Sequence, residues 1–177
     1  SRTREAEATI RFGHAAFSAG DDDLAQIWLT RAALLAVELG MVTRRAAVLG
    51  RLAGIEAALG RCAEARAASR ESLRLYRQLD LPDGVAWALR TLAGVLAAGG
   101  EAERTLRLEA AAASHPAGGV FAEVERERVR RERWLAEGRA AMGHGAAAAA
   151  LAAGRALTLD EAVAEALGDQ RGASAHG

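Results

Sequence analysis

Hydrophobic positions recur along this chain every three or four residues. Ile27, Leu34, Leu35 and Leu39 follow that spacing, as do Leu73, Tyr76 and Leu79, which predicts helices with one face turned to a core. Glycines punctuate the pattern. Helices are expected over 4–19 and 22–39, then 43–59 and 62–79, then 82–98 and 101–114. Gly20, Gly60 and Gly99-Gly100 stand where each pair needs a left-handed cap between its helices. Asp21-Asp22-Asp23 follows the first of these turns. The run places negative charge at the positive end of the next helix and caps it. It lacks the spacing and downstream glutamate of a calcium loop.

The pairs repeat. Shifted by 40 residues, Leu52-Ala53-Gly54 falls on Leu92-Ala93-Gly94, Ala57-Ala58 on Ala97-Ala98, and Gly60 on Gly100. The same shift places Phe12 on Leu52, Gly20 on Gly60, Ala25 on Ala65, Leu35 on Leu75 and Leu39 on Leu79, with Ala6, Ala46 and Ala86 in a triple. An all-α array of antiparallel helix pairs is therefore expected over 1–116, wound as a right-handed superhelix. Ala53, Gly54, Ala93 and Gly94 are the small residues that let its helices approach closely.

After Pro116 the pattern degrades into a helical cap over 117–168. One long helix is expected over 118–142, with Phe121, Val124, Trp134 and Leu135 as its apolar residues. Gly143-His144-Gly145 breaks it, Ala146–Ala153 forms another helix, and Thr158-Leu159-Asp160-Glu161 is a capping box that opens a last one. Residues 169–177 are polar and small, and a disordered tail is expected there.

Composition narrows the chemistry. The chain has 177 residues, of which 46 are alanine, 22 leucine and only three isoleucine. All 23 basic residues are arginines, set against 23 acids. Without lysine there is no phosphate-loop lysine and no Schiff-base lysine. With one cysteine, Cys62, there is no internal disulfide and no thiolate cluster. Zero net charge leaves no electrostatic footprint for nucleic acid. No apolar run reaches membrane-spanning length, and Ser1 to Glu7 alternates charge rather than forming a secretory signal. These features suggest a piece of a longer cytoplasmic protein.

Four histidines, His14, His115, His144 and His176, include no two at the spacing of a helical metal pair. Cys62 opens a helix but has no histidine near it in sequence. Glu123 to Arg133 interleaves carboxylates and guanidiniums at helical neighbour spacings, the pattern of a solvated face. No catalysis, cofactor or metal is expected.

The forty-residue pairs resemble tetratricopeptide repeats of the longer kind. Gly20, Gly60 and Gly100 match the turn position, and Ala25 and Ala65 match the small residue of the second helix, where Thr105 departs. Asp83 to Arg90 followed by Leu92-Ala93-Gly94 is similar to repeats of large bacterial regulators. The ending Gly154-Arg155-Ala156-Leu157-Thr158-Leu159-Asp160-Glu161-Ala162-Val163 resembles the closing segment of this domain in MalT-like signalling ATPases, LuxR-type activators and fused nucleotide cyclases of actinobacteria. The resemblance covers 5–168. It implies an effector-sensing or protein-docking arm, with an ATPase upstream. In LuxR-type activators a DNA-binding segment follows the arm, but only nine residues follow Gly168 here, so the output is expected upstream or on a partner.

Repeat register supplies candidate contact residues. The inner face collects Glu7, Ile10, His14 and Phe17, then Gly50, Gly54 and Ala57, then Trp87, Arg90, Gly94 and Ala97. That is a groove with a small-residue floor, in which a helix or extended peptide is expected to lie. Trp87 would contribute area and Arg90 would hold a carboxylate. The alternative is a structural module whose groove is filled by a neighbouring domain or a second copy.

Overall fold

In the computed structural model the described residues are 1–116 and 118–168. The tail expected over 169–177, including His176, lies outside them. The described residues form nine α-helices and no strand. The first six are α1 (Arg2–Ala19), α2 (Asp22–Glu38), α3 (Val42–Ala58), α4 (Cys62–Gln78), α5 (Pro82–Ala98) and α6 (Ala102–Ala113). Their starting positions advance by 20, so each antiparallel pair repeats the one before it at a shift of 40.

The turns explain this regularity. Positions 20, 40, 60, 80 and 100 all have positive φ, between 51° and 87°. At each, the following residue's amide reaches back five residues, as from Asp21 to the Ala16 carbonyl at 3.0 Å and from Glu101 to that of Leu96 at 3.0 Å. This is a Schellman-type closure, and it requires a left-handed residue. Glycine fills four of the positions; Asp80 fills the fifth, the one non-glycine with positive φ among the described residues. Asp21 caps α2, its Oδ1 accepting from the Leu24 amide at 3.0 Å.

Within each pair the contact is made by small residues. Ala53, Ala65 and Ala93 are fully enclosed. Thr105, which takes the place of Ala25 and Ala65 in the third pair, is enclosed as well. Its hydroxyl donates to the Ala93 carbonyl at 3.3 Å, so the extra polar atom is satisfied. Larger side chains fill the layers between pairs: Leu52 and Ile55 of α3 pack with Leu29 of α2, and Leu89, Leu92 and Leu96 of α5 pack with Leu73 and Tyr76 of α4.

The apolar stripe read on α2 needs correction. Leu35 is buried, but Ile27 and Leu34 are 60% and 63% exposed. They extend an outward face that includes Leu24, Val37 and Phe12, with the Phe12 ring 5.2 Å from that of Trp28. A spacing of three or four gives a stripe without saying which side of the helix the core occupies.

The remaining elements are α7 (Glu125–Met142), α8 (His144–Arg155) and α9 (Leu159–Leu167). The helix expected from residue 118 therefore begins only at Glu125. Before it, Gly119–Phe121 make one 3₁₀ turn, and Ala122 and Val124 are extended. That kink turns the Phe121 ring onto Tyr76, at 5.4 Å, and towards Trp87, at 6.3 Å. His144 begins α8 rather than lying in a loop.

The Thr158 box is formed: its hydroxyl accepts from the Glu161 amide at 3.2 Å, and Glu161 accepts from the Thr158 amide at 2.8 Å. Val163 and Ala166 of α9 join the core around Leu89 and Leu92. A bidentate pair from Arg107 to Glu165, at 2.7 and 2.8 Å, fastens α9 to α6.

A candidate ligand cavity under helix α7

Helix α7 packs against α6, α8 and α5, and its side chains reach α1 and α3. It is poor in buried apolar residues, with only Leu135 and Gly138 fully enclosed. Charge holds its first two turns. Arg126 donates to the Phe17 carbonyl at 2.7 Å, and Arg126 and Arg130 each reach Asp22 at 2.8 Å. Glu127 pairs with Arg51 of α3. Arg131 makes a bidentate bond to Glu123, at 2.6 and 3.0 Å, and reaches Glu109 at 3.2 Å. The charge run read as a solvated face is therefore largely an internal fastening. Arg128 and Arg133, which pair only within the helix, are its exposed exceptions.

Under α7 a cavity of about 270 Å³ remains. Its floor is Gly50, Gly54, Ala57 and Ala58 of α3 with Gly94, Ala97 and Ala98 of α5. Trp134 of α7 faces the floor, its ring 3.5 Å from where a Cβ on Gly94 would stand. The two floor glycines of α3 differ. A Cβ on Gly50 would stand 2.3 Å from the edge of the Trp87 ring, a clash, whereas one on Gly54 would meet nothing within 4 Å. Gly50 is needed for packing; Gly54 opens space.

The residues expected at the groove divide into two groups. Phe17, Trp87 and Arg90 line the cavity. Glu7 instead pairs with Arg44 at 3.1 Å, and Ile10 is buried in the core with Leu29 and Leu52. His14 is half-buried and does not line the cavity. Burial lowers its pKa, and the nearby charges of Arg51 and Arg44 lower it further.

Trp87 is not the accessible anchor that repeat register suggested. It is 9% exposed, edge-on to Tyr76 at 6.2 Å, and belongs to the main core. Its position corresponds to Glu7 and Ala47 in the other pairs. The kinked 118–124 segment, invisible to register, covers it with Phe121.

Arginines dominate the cavity wall. The Phe17 ring lies under three guanidiniums, Arg51 at 4.6 Å, Arg126 at 4.7 Å and Arg130 at 5.7 Å. Burial lowers the Arg51 pKa, and Glu127 opposes that shift. Glu109 is buried behind the wall, 3.6 Å from Arg90 Nε, and burial raises its pKa. Arg51, Glu127, Arg130, Arg131 and Trp134 were not among the expected contacts. Trp134 alone carried a signal, as a lone aromatic in a strongly charged helix.

Comparison with known proteins finds no matching family model and no similar curated protein. Among the described residues no helix is long and apolar enough to cross a membrane.

Proposed function

We propose that this chain is a non-catalytic helical-repeat binding arm that holds a small effector between the floor of α3 and α5 and the covering helix α7. One observation carries the reading. Side chains of α7 reach across the groove to α1, α3 and α5, and what stays open is a cavity of about 270 Å³, just below the ~300–1,000 Å³ range of ligand sites. It has an apolar floor and a few convergent polar groups. A peptide helix would have to displace α7; a molecule with one or two rings would not. The resemblance to tetratricopeptide arms of signalling and transcription regulators fits this reading, with the arm acting in the cytoplasm and the output located elsewhere in the assembly.

Filling the cavity from its floor tests it. Gly54→Leu places a side chain where no atom stands within 4 Å. Calorimetric titration with 2-naphthoate and with 2-naphthalenemethanol should show binding to the wild type and none to the variant. Equal binding to both proteins, or to neither, would refute the cavity as a ligand site.

A second reading, self-association, has its own support. Leu24, Ile27, Leu34 and Val37 on α2 correspond by repeat to Glu64, Ala67, Arg74 and Arg77 on α4. The second pair thus places polar or small residues where the first exposes large apolar ones. Phe12 corresponds to Leu52 and Leu92, both buried where one pair stacks on another. Phe12 continues the stacking surface, while the α2 residues lie beside it on the outer face, where their counterparts Glu64, Ala67 and Arg77 are exposed, and a second copy would cover this apolar region. Light scattering across a concentration series should show a dimer that Ile27→Glu dissociates; a monomer at every concentration refutes the reading.

A further inference from the structure

Independently of whether two copies associate, we propose that α1 carries an open repeat interface: its free stripe fits a further helix pair of the same forty-residue repeat, with a carboxylate opposite Arg4. Burial is the first ground. In α3, Val48, Leu52 and Ile55 are buried in one cluster with Ala25, Leu29 and Ala32 of the preceding α2. In α5, Ala88 and Leu92 are buried with Leu73 and Tyr76 of the preceding α4, and Val95 with Ala65. The corresponding residues of α1 are Ala8, Phe12 and Ala15. Ala8 is only partly covered, Phe12 is 56% exposed and Ala15 is exposed. Positions that make the contact between pairs twice in this chain thus stand open in α1.

Charge is the second ground. Arg4 of α1 corresponds to Arg44 of α3. Arg44 reaches back to Glu7 of the pair before it, at 3.1 Å. Arg4 is exposed and makes no ion pair among the described residues. The register therefore specifies both features of the occupant: apolar residues for the stripe, and an acid in the place that Glu7 takes towards Arg44.

The opposite end of the array offers no such surface. Leu135 of α7 and Ala147 and Ala150 of α8 pack on Leu106 of α6, and Val163 and Ala166 of α9 lie in the core with Leu89 and Leu92. An array that ends in water needs a cap of this kind, and α1 has none among the described residues. The apolar residues of α2 are a separate surface. Leu24, Ile27 and Leu34 lie on the side where Glu64, Ala67 and Arg74 of the second pair are not buried, so a stacked pair would leave them open.

An added pair tests this in the full chain. Residues 41–80 repeated immediately before Ser1 keep the forty-residue spacing, because Ser1 then takes the place of Leu81. The extended protein should melt in one transition at a higher temperature than the parent, and its α1 amides should exchange slower by about tenfold or more. Residue 47 of the added copy stands to Arg4 as Glu7 stands to Arg44. Ala47→Glu in that copy should raise the melting temperature again, and Arg4→Met should cancel that second rise alone. Ala15→Glu controls for packing. It should hardly change the parent, where Ala15 is exposed, and should lower the melting temperature of the extended protein. An added pair that melts apart from the rest, or that leaves exchange in α1 unchanged, would overturn the interface. Stacking that Ala47→Glu and Arg4→Met leave unaltered would overturn the acidic residue opposite Arg4. Measured in dilute solution, where every protein is monomeric, neither result depends on self-association.

Discussion

Gly50 and Gly54 lie one turn apart in the same helix and both line the same cavity, yet replacing them with alanine should move stability in opposite directions. Each replacement removes a glycine from a helix interior, a gain of about 0.8–1 kcal/mol from propensity alone. At Gly54 nothing stands within 4 Å of the new methyl, so the gain should be kept in full. At Gly50 the methyl would stand 2.3 Å from the edge of the Trp87 ring, with Ser72 Oγ 3.1 Å away. The ring cannot retreat, because Tyr76 and Phe121 pack against it at 6.2 and 6.3 Å. Overpacking of this kind costs ~1–3 kcal/mol. The net expectation is therefore a gain of about 1 kcal/mol for Gly54→Ala and a loss of up to about 2 kcal/mol for Gly50→Ala. Urea titrations followed by circular dichroism at 222 nm would resolve a difference of that size. Two gains would mean that Trp87 has room to move and is no part of a tight core. A loss at Gly54 would mean that its side of α3 is occupied.

Other replacements test separate parts of the fold. Trp87→Ala should cost ~3–5 kcal/mol, the range for emptying a large core site, read as a fall in urea midpoint; a change below about 1 kcal/mol would return Trp87 to the surface role that register gave it. Asp80→Gly should raise stability by about 0.5–1 kcal/mol, because Asp80 occupies a left-handed turn at φ 51° that its four counterparts fill with glycine; a lower melting temperature would refute the turn argument. Thr158→Ala should lose ~0.5–2 kcal/mol through the broken capping box, with protection of the α9 amides from hydrogen exchange as the local readout. His14, with its pKa lowered by burial, takes up a proton more readily in the unfolded chain, so stability present above pH 6.5 is lost as pH falls below it. His14→Gln should flatten that acid-side fall in melting temperature, and an unchanged slope would show that His14 does not contribute to it.

The repeat was legible because its cause is local. A Schellman turn needs a left-handed residue at a fixed place, and glycines at 20, 60 and 100 mark those places in the sequence. Gly40 and Asp80 mark the turns between pairs. Asp80 carries no glycine signal, yet aspartate tolerates the same backbone region, so the pattern survives there. The Thr158 box was legible for the same reason, since its two hydrogen bonds join residues three apart. Burial side was less so. Ile27 and Leu34 obey the spacing of a core stripe, but they lie on the outer side of the array, where their repeat counterparts Ala67 and Arg74 are not buried either.

The cavity was half legible, and the missing half has a physical origin. Register finds its floor, because Gly54 and Gly94 are repeat-related and stand on the same face of successive helices. It cannot find the lid. The bonds that hold α7 span 76 residues from Arg51 to Glu127, 108 from Asp22 to Arg130 and 109 from Phe17 to Arg126. From sequence alone, Arg126, Glu127, Arg130 and Arg131 also have oppositely charged neighbours one turn away, so a self-paired solvated helix accounts for them equally well. The deciding fact is tertiary. Phe17 and Asp22 meet at the corner between α1 and α2, and together they offer an aromatic face, a helix-end carbonyl and a carboxylate to two guanidiniums at once. That corner draws the first turns of α7 over the groove, and Trp134 then seals the far side against Gly94. At Gly94 the Trp134 ring rests on the floor itself, and the cavity is what remains beside it over Gly54, where no atom stands within 4 Å of a Cβ position.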